Sequence, residues 1–98
     1  WQTLHAQIRS GFKYGKQRCT AYVRWVVERS LFPQFLETYM DAAKSLVVGN
    51  PLAVDSPGDE LPNVDIGPLI NSQKVEELRV AHSEAGGLGA GSLYEGRL

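Results

Sequence analysis

The strongest constraint on the fold is a helical stripe of apolar residues in the middle of the chain. Between residues 32 and 47, apolar side chains recur at intervals of three and four, with charged residues on the other faces. The stripe consists of Phe32, Phe35, Leu36, Tyr39, Ala43, Leu46 and Val47. Ser30 can cap this helix, Pro33 suits its first turn, and Gly49-Asn50-Pro51 ends it, with Gly49 as a left-handed terminus. We therefore predict an amphipathic helix whose aromatic face is part of a core rather than a cofactor site.

Two more helices and one long loop follow from similar signals. Residues 1 to 10 carry apolar side chains at near-helical spacing, and Asn71 or Ser72 can cap a third helix that ends at Gly86-Gly87. Residues 52 to 68 are rich in proline, glycine and acidic residues, which predicts a surface loop. The acidic residues lack the alternating spacing of a calcium-binding loop, so no metal site is expected.

A run of β-branched and aromatic residues lies between the first two helices. Residues 21 to 27 are apolar on both faces except for Arg24, which predicts a strand inside a sheet that helices cover. A second, short strand is expected from Ala90 to Glu95. The order helix-loop-strand-helix-loop-helix-strand places the chain in the α/β class, with a mixed sheet.

The only cysteine lies in a basic loop just before the first predicted strand. Lys16, Arg18 and Arg24 surround Cys19, and cations near a thiol favour the thiolate, which is the nucleophilic form. A lone cysteine is more often a small buried apolar residue than a nucleophile. Charge alone therefore does not decide between the two roles.

Four stretches of the chain resemble the aldehyde dehydrogenase superfamily. Gln17-Arg18-Cys19-Thr20-Ala21, followed by Arg24 and the apolar run Trp25-Val26-Val27, resembles the segment around the family's nucleophilic cysteine. The other stretches agree in order and spacing and are Ala42 to Pro51, Asp65 to Ile70, and Gly89-Ala90 leading to Leu93-Tyr94-Glu95-Gly96. One position departs from the family, which usually has glycine immediately before the glutamine. This chain has Lys16 there, and since glycine provides backbone freedom, the path of the loop is expected to differ.

The resemblance implies a fold and an activity. Residues 1–98 are expected to be an internal part of one catalytic domain, without the dinucleotide-binding domain and inactive alone. In the family, the cysteine thiolate attacks the aldehyde carbon and a hydride passes to NAD or NADP. Water or coenzyme A then releases the thioester. The complete protein is expected to be a homodimer or homotetramer.

The resemblance also carries over individual residues. It makes Cys19 the catalytic nucleophile, whose backbone amide helps to hold the oxyanion. It places Arg18 and Thr20 towards the aldehyde tunnel, where the guanidinium of Arg18 would suit a carboxylate or phosphate on the substrate. Arg18 could equally pair with a neighbouring acid or lower the pKa of the thiol. Lys74 corresponds to a position near the cofactor ribose, although it also reads as an ordinary exposed helical lysine.

Two other function classes stay open on the sequence. One is a non-catalytic interaction module or remnant with an inert cysteine, which the Lys16 departure favours. The other is a redox-responsive protein, against which the absence of a second cysteine counts.

The composition of the chain argues against nucleic acid or a membrane as a partner and bears on the cellular compartment. Residues 1–48 hold seven of the ten Lys and Arg residues, but these are scattered singly, so nucleic acid is not expected as a partner. No apolar run reaches the length of a membrane span. A single cysteine excludes an internal disulfide and favours a reducing compartment, so we expect the cytoplasm.

Overall fold

The computed structural model describes residues 1–94, and these form three α-helices. They are α1 (Gln2–Gly11), α2 (Phe32–Lys44) and α3 (Ser72–Gly87), with short 3-10 turns at Lys13–Lys16 and Arg29–Leu31. The chain divides into two compact units, Trp1–Pro68 and a second that begins at Leu69. None of the helices in the described part is long and apolar enough to cross a membrane.

The core of the first unit lies where α1 packs against α2. Ile8 on α1 is 2% exposed, Ala42 on α2 is fully buried, and Phe35 on α2 is also buried. Both helices were predicted from apolar periodicity, and both predictions are confirmed. The packing of their apolar faces removes these side chains from water, which is the main force that holds such short helices.

The ends of α2 differ from the prediction. Pro33 lies in its first turn as expected, but the helix begins after Leu31 and has no side-chain cap. The Ser30 hydroxyl instead donates to Glu28 Oε1 at 2.7 Å, so the predicted cap is wrong. The helix also ends at Lys44, five residues before Gly49. The Ser45 hydroxyl donates to the carbonyl of Ala42 at 2.7 Å and satisfies one of the terminal acceptors without a glycine.

An aromatic cluster joins the middle of the chain to α2. Trp25 is its central ring, with centroids 4.8 Å from Tyr22, 5.5 Å from Phe35 and 6.5 Å from Tyr39. Phe12, just after α1, meets Tyr39 edge to face at 6.4 Å. These spacings are in the range that favours aromatic pairs. The stripe on α2 therefore contributes rings to a core, as its pattern predicted.

The predicted strands do not form in the described residues, so the α/β class is not confirmed. Residues 21–27 run without strand pairing, and Val23 and Val26 are 82% and 102% exposed rather than buried on both faces. Residues 90–94 also form no strand, and Glu95 lies outside the described residues. A strand requires a neighbour to complete its backbone hydrogen bonds, and an apolar run specifies side chains but not that neighbour.

The long loop is held by a short backbone contact instead of a sheet. Val48 and Ile66 form an isolated parallel bridge, with Gly49 N donating to Ile66 O at 3.1 Å and Asp65 N to Val47 O at 2.8 Å. This bridge holds the two ends of the loop between Val48 and Ile66 close together, shortly after α2. The prediction of a surface loop over residues 52 to 68 is confirmed, since most of this stretch is exposed and irregular.

The second unit contains α3. Asn71 caps this helix, since its side-chain oxygen accepts from the backbone N–H of Lys74 at 3.0 Å. Of the two caps that the sequence allowed, the structure selects Asn71, whose extended backbone is the usual conformation at this position. The predicted helix end at Gly86-Gly87 is confirmed.

Candidate functional site

The loop that carries Cys19 begins with three consecutive residues in the left-handed region. The φ angles of Tyr14, Gly15 and Lys16 are 55°, 59° and 64°. Gly15 adopts this conformation freely, whereas each of the other two costs about 1 kcal/mol. Lys16 stands at the position where the sequence departs from the family's glycine, and its positive φ explains why glycine suits that place.

Two cationic side chains tie this loop to its surroundings. Lys16 Nζ donates to the carbonyl of Tyr22 at 2.8 Å and lies 4.4 Å from the centroid of the Phe12 ring. The guanidinium carbon of Arg18 lies 5.8 Å from the centroid of the Tyr14 ring. Partial burial lowers the pKa of the Lys16 ammonium below its usual range. The cation nevertheless has a backbone acceptor and an aromatic face, which are favourable partners for it.

Cys19 lies in a tight turn that begins at Arg18. The backbone N–H of Ala21 donates to the carbonyl of Arg18 at 3.1 Å, and this bond closes the turn around Cys19 and Thr20. The thiol is free and exposed. It is therefore open to a reagent from solvent, which a buried structural cysteine would not be.

Arg18 and Thr20, which flank the cysteine, line one shallow cavity. The other lining residues come from the end of α1 and from the segment after the turn, and are Gln7, Ser10, Gly11, Ala21 and Tyr22. The two residues expected to face the substrate therefore line the same cavity, whereas Cys19, which stands between them in the chain, is not among its lining residues. The cavity offers a guanidinium, hydroxyl groups and a side-chain amide as polar partners.

Lys74 lies in the second unit, in the first turn of α3. Its ammonium forms an ion pair with Glu77 at 2.6 Å, three residues along the helix, and its side chain is 54% exposed. Such a local, exposed pair contributes little to stability. It fits the interpretation of Lys74 as an ordinary helical lysine, and it leaves the ammonium accessible.

One polar network was missed by sequence reasoning. Asp65 accepts from Arg9 Nη2 at 3.1 and 3.2 Å and from the backbone N–H of Val47 at 2.9 Å, while Arg9 Nη1 donates to Ser45 Oγ at 3.2 Å. The hydrogen bond from Val47, assisted by the charge of Arg9, holds the pKa of the Asp65 carboxyl below its usual range.

This network ties α1, which ends just before the Cys19 loop, to the segment after α2. Asp65 stands in one of the stretches that carry the family resemblance, which is a signal for its importance. No spacing in the sequence indicates that Arg9, 56 residues away, is its partner. Nothing in residues 1–94 groups three or more His, Cys, Asp or Glu side chains as a metal site would.

Several curated proteins are similar to this chain, and those described below are dehydrogenases by name. The lactaldehyde dehydrogenase of Methanocaldococcus jannaschii is 35% identical over 75 residues, which are 76% of this chain and 14% of that protein. The 2-hydroxymuconic semialdehyde dehydrogenase of a Pseudomonas species is 32% identical over 84 residues, or 86% and 16%. The 3,6-anhydro-alpha-L-galactose dehydrogenase of a Vibrio species is 27% identical over 96 residues, or 98% and 18%.

The sequence profile of the aldehyde dehydrogenase family matches residues 1–98. The chain therefore belongs to the aldehyde dehydrogenase family. It spans less than a fifth of the length of the curated relatives described above. No solved structure gives a significant match to it.

Proposed function

We propose that this chain is the nucleophile-bearing part of an NAD(P)-dependent aldehyde dehydrogenase that oxidises an aldehyde to a carboxylic acid. The observation that carries the proposal is the exposed thiol of Cys19, held in a tight turn directly after Arg18 in a chain of this family. On this proposal, residues 1–98 are part of one catalytic domain. Sequence outside them binds most of the dinucleotide and builds a homodimer or homotetramer in the cytoplasm.

Cys19 supplies the chemistry of this part. Its thiolate attacks the aldehyde carbon, so a carbon–sulfur bond forms and the carbonyl oxygen becomes an oxyanion. The backbone amide of Cys19 is the proposed donor that stabilises this charge. Loss of hydride from the same carbon restores the carbonyl as a thioester on Sγ. Water then cleaves this thioester to the carboxylic acid and the free thiol, and coenzyme A in place of water would take the acyl group as a new thioester.

The chain offers one residue to the cofactor. An ammonium has three donors, and Glu77 accepts from Lys74 on one side, so Lys74 is able to bind a ribose hydroxyl as well. NAD or NADP, when bound, supplies the acceptor for the hydride. Lys74 would orient the sugar and take no part in the chemical step.

Arg18 and Thr20 are proposed to bind the aldehyde. Arg18 lines a cavity together with Thr20, and its fork of donors suits a carboxylate or phosphate on the substrate. In the complete enzyme, Arg18→Leu should raise KM for an anionic aldehyde by about tenfold, as expected for one lost charged hydrogen bond, and leave a neutral aldehyde nearly unchanged. Arg24→Leu is the matched control, because Arg24 is an exposed arginine outside the lining of this cavity. Equal effects on both substrates would remove Arg18 from substrate recognition.

The central test is Cys19→Ala in the complete protein. We expect reduction of NAD or NADP by aldehyde to fall by roughly 10³-fold or more, as for other removed nucleophiles. A trapped acyl group should appear by mass spectrometry on the peptide that contains Cys19 and should be absent from the variant. Full activity in Cys19→Ala would end the assignment of Cys19 as the nucleophile, whereas a complete protein that is inactive with every aldehyde would favour the non-catalytic module.

A further inference from the structure

The loop from Lys16 to Tyr22 has Cys19 at its midpoint, and its two end residues contact each other. Lys16 Nζ donates to the backbone carbonyl of Tyr22 at 2.8 Å. A contact between the ends of a short loop restricts every backbone dihedral between them, because fewer conformations keep both ends in place. The turn bond from Ala21 N to Arg18 O then lies inside an already closed loop.

Both ends of this loop are anchored on the aromatic cluster. The Lys16 ammonium lies over Phe12, which meets Tyr39 of α2, and the ring of Tyr22 packs on Trp25. The loop is thus fixed to α2 at its start and at its end. Reactive side chains often lie on loops that a rigid scaffold holds in place, because the scaffold fixes their geometry while the loop keeps them accessible.

The backbone of Lys16 carries strain that its side-chain contacts offset. A lysine at φ 64° is disfavoured relative to glycine. Residues in such regions persist only where the surroundings hold them there, and they are enriched at functional sites. Glycine at this position would adopt the angle freely but could not reach the carbonyl of Tyr22.

We infer that Lys16 is a positioning residue for Cys19: it closes the loop by binding the carbonyl of Tyr22 and so holds the thiol and the amide of Cys19 in one geometry. Its importance for catalysis rests on the proposed function of Cys19. The closure of the loop does not rest on that proposed function, because the hydrogen bond from Lys16 to the carbonyl of Tyr22 is seen in the structure itself. Lys16 itself does not touch the reacting atoms.

The test measures amide hydrogen exchange in the complete protein that contains this chain. Lys16→Met keeps the length of the side chain and removes the donor. We expect the amide of Ala21, which donates to the carbonyl of Arg18 inside the loop, to exchange about tenfold faster, as for one lost charged hydrogen bond. Lys16→Arg retains a donor and should restore exchange to within about threefold. Lys13→Met is the matched control, because Lys13 is an exposed lysine in the same 3-10 turn. The amides of α2 report global stability and should not change.

A second readout separates positioning from the effect of charge alone. Alkylation of Cys19 by iodoacetamide is followed across pH in the same variants. If Lys16 acts only through its charge, Lys16→Met shifts the alkylation profile to higher pH and leaves amide exchange unchanged, which overturns the inference. Failure of Lys16→Arg to restore slow exchange overturns it as well.

In the complete enzyme, Lys16→Met should lower kcat about tenfold with little change in KM, and Lys16→Arg should restore kcat. If Cys19→Ala is active, the proposed function fails while the exchange result stands on its own. If exchange of the Ala21 amide is the same in Lys16→Met and the natural protein, the positioning role fails whatever Cys19 does.

Discussion

Replacing Trp25 by alanine should remove the centre of the aromatic cluster and lower the free energy of unfolding by about 3 kcal/mol. Large aromatic residues in a core lose about 3–5 kcal/mol on truncation to alanine, and Trp25, which is only partly buried, belongs at the low end of that range. Its three ring contacts, at 4.8, 5.5 and 6.5 Å, are all lost together.

The total stability of a chain of this size makes this loss easy to measure. A protein domain typically has a free energy of unfolding of about 5–15 kcal/mol, so a loss of about 3 kcal/mol is a large fraction of it. Urea denaturation of the complete protein and of its variant, followed by far-ultraviolet circular dichroism, gives the difference. Trp25→Phe keeps an aromatic ring and should lose only about 1 kcal/mol, so it remains measurable if the alanine variant does not fold.

Val26→Ala is the matched control within the same apolar run. Val26 is 102% exposed, so its truncation should change stability by less than about 0.5 kcal/mol. A strand buried on both faces, as the sequence pattern predicts, would instead lose about 1 kcal/mol or more at Val26. The reasoning is refuted if Trp25→Ala loses under about 1 kcal/mol, or if Val26→Ala is as damaging as Trp25→Phe.

Three further predictions follow from single contacts. The carboxylate of Asp65 has a lowered pKa when folded, so its stabilisation is complete above the unfolded pKa of about 4 and is lost as pH falls through the folded value. Denaturation midpoints from about pH 6 to 3 should therefore fall less steeply in Asp65→Asn, and equal slopes would contradict this. Ala42→Leu should destabilise the chain by about 1–3 kcal/mol in urea, because Ala42 is fully buried. Asn71→Ala should lower the helicity of α3 and its local stability by about 1 kcal/mol, measured by amide exchange at Lys74, whose N–H loses its acceptor.

The helices were predictable because their signals are local. The apolar stripe on α2, the first-turn proline at Pro33 and the cap at Asn71 each depend on residues a few positions apart. The ends of the helices were not predictable from these local signals alone, because they also depend on the segments that enter and leave each helix. Ser30 is an acceptable cap by residue type, yet the chain begins α2 after Leu31, and the choice depends on how the preceding turn at Arg29–Leu31 enters the helix.

The sequence named candidate site residues, but it did not predict their geometry. Cys19, Arg18 and Thr20 were singled out by composition and resemblance, and the structure places the two flanking residues on one cavity. Their roles in catalysis stay predictions that the variants above test. The unusual residue at Lys16 marked the loop as different, but its contact with the carbonyl of Tyr22 has no signature in sequence spacing.

What the amino-acid sequence determined by itself was the helix pattern, the surface loop and the family, because periodicity, turn residues and motif order are properties of neighbouring residues. Tertiary structure decided that residues 21–27 contribute aromatic rings to a cluster instead of forming a strand. It also decided that Arg9 pairs with Asp65 and that Lys16 binds the carbonyl of Tyr22. The physical reason is that strand pairing, ion pairs and ring packing join residues far apart in the chain or across a turn. Their free energy is gained only once the helices have brought those groups within contact distance.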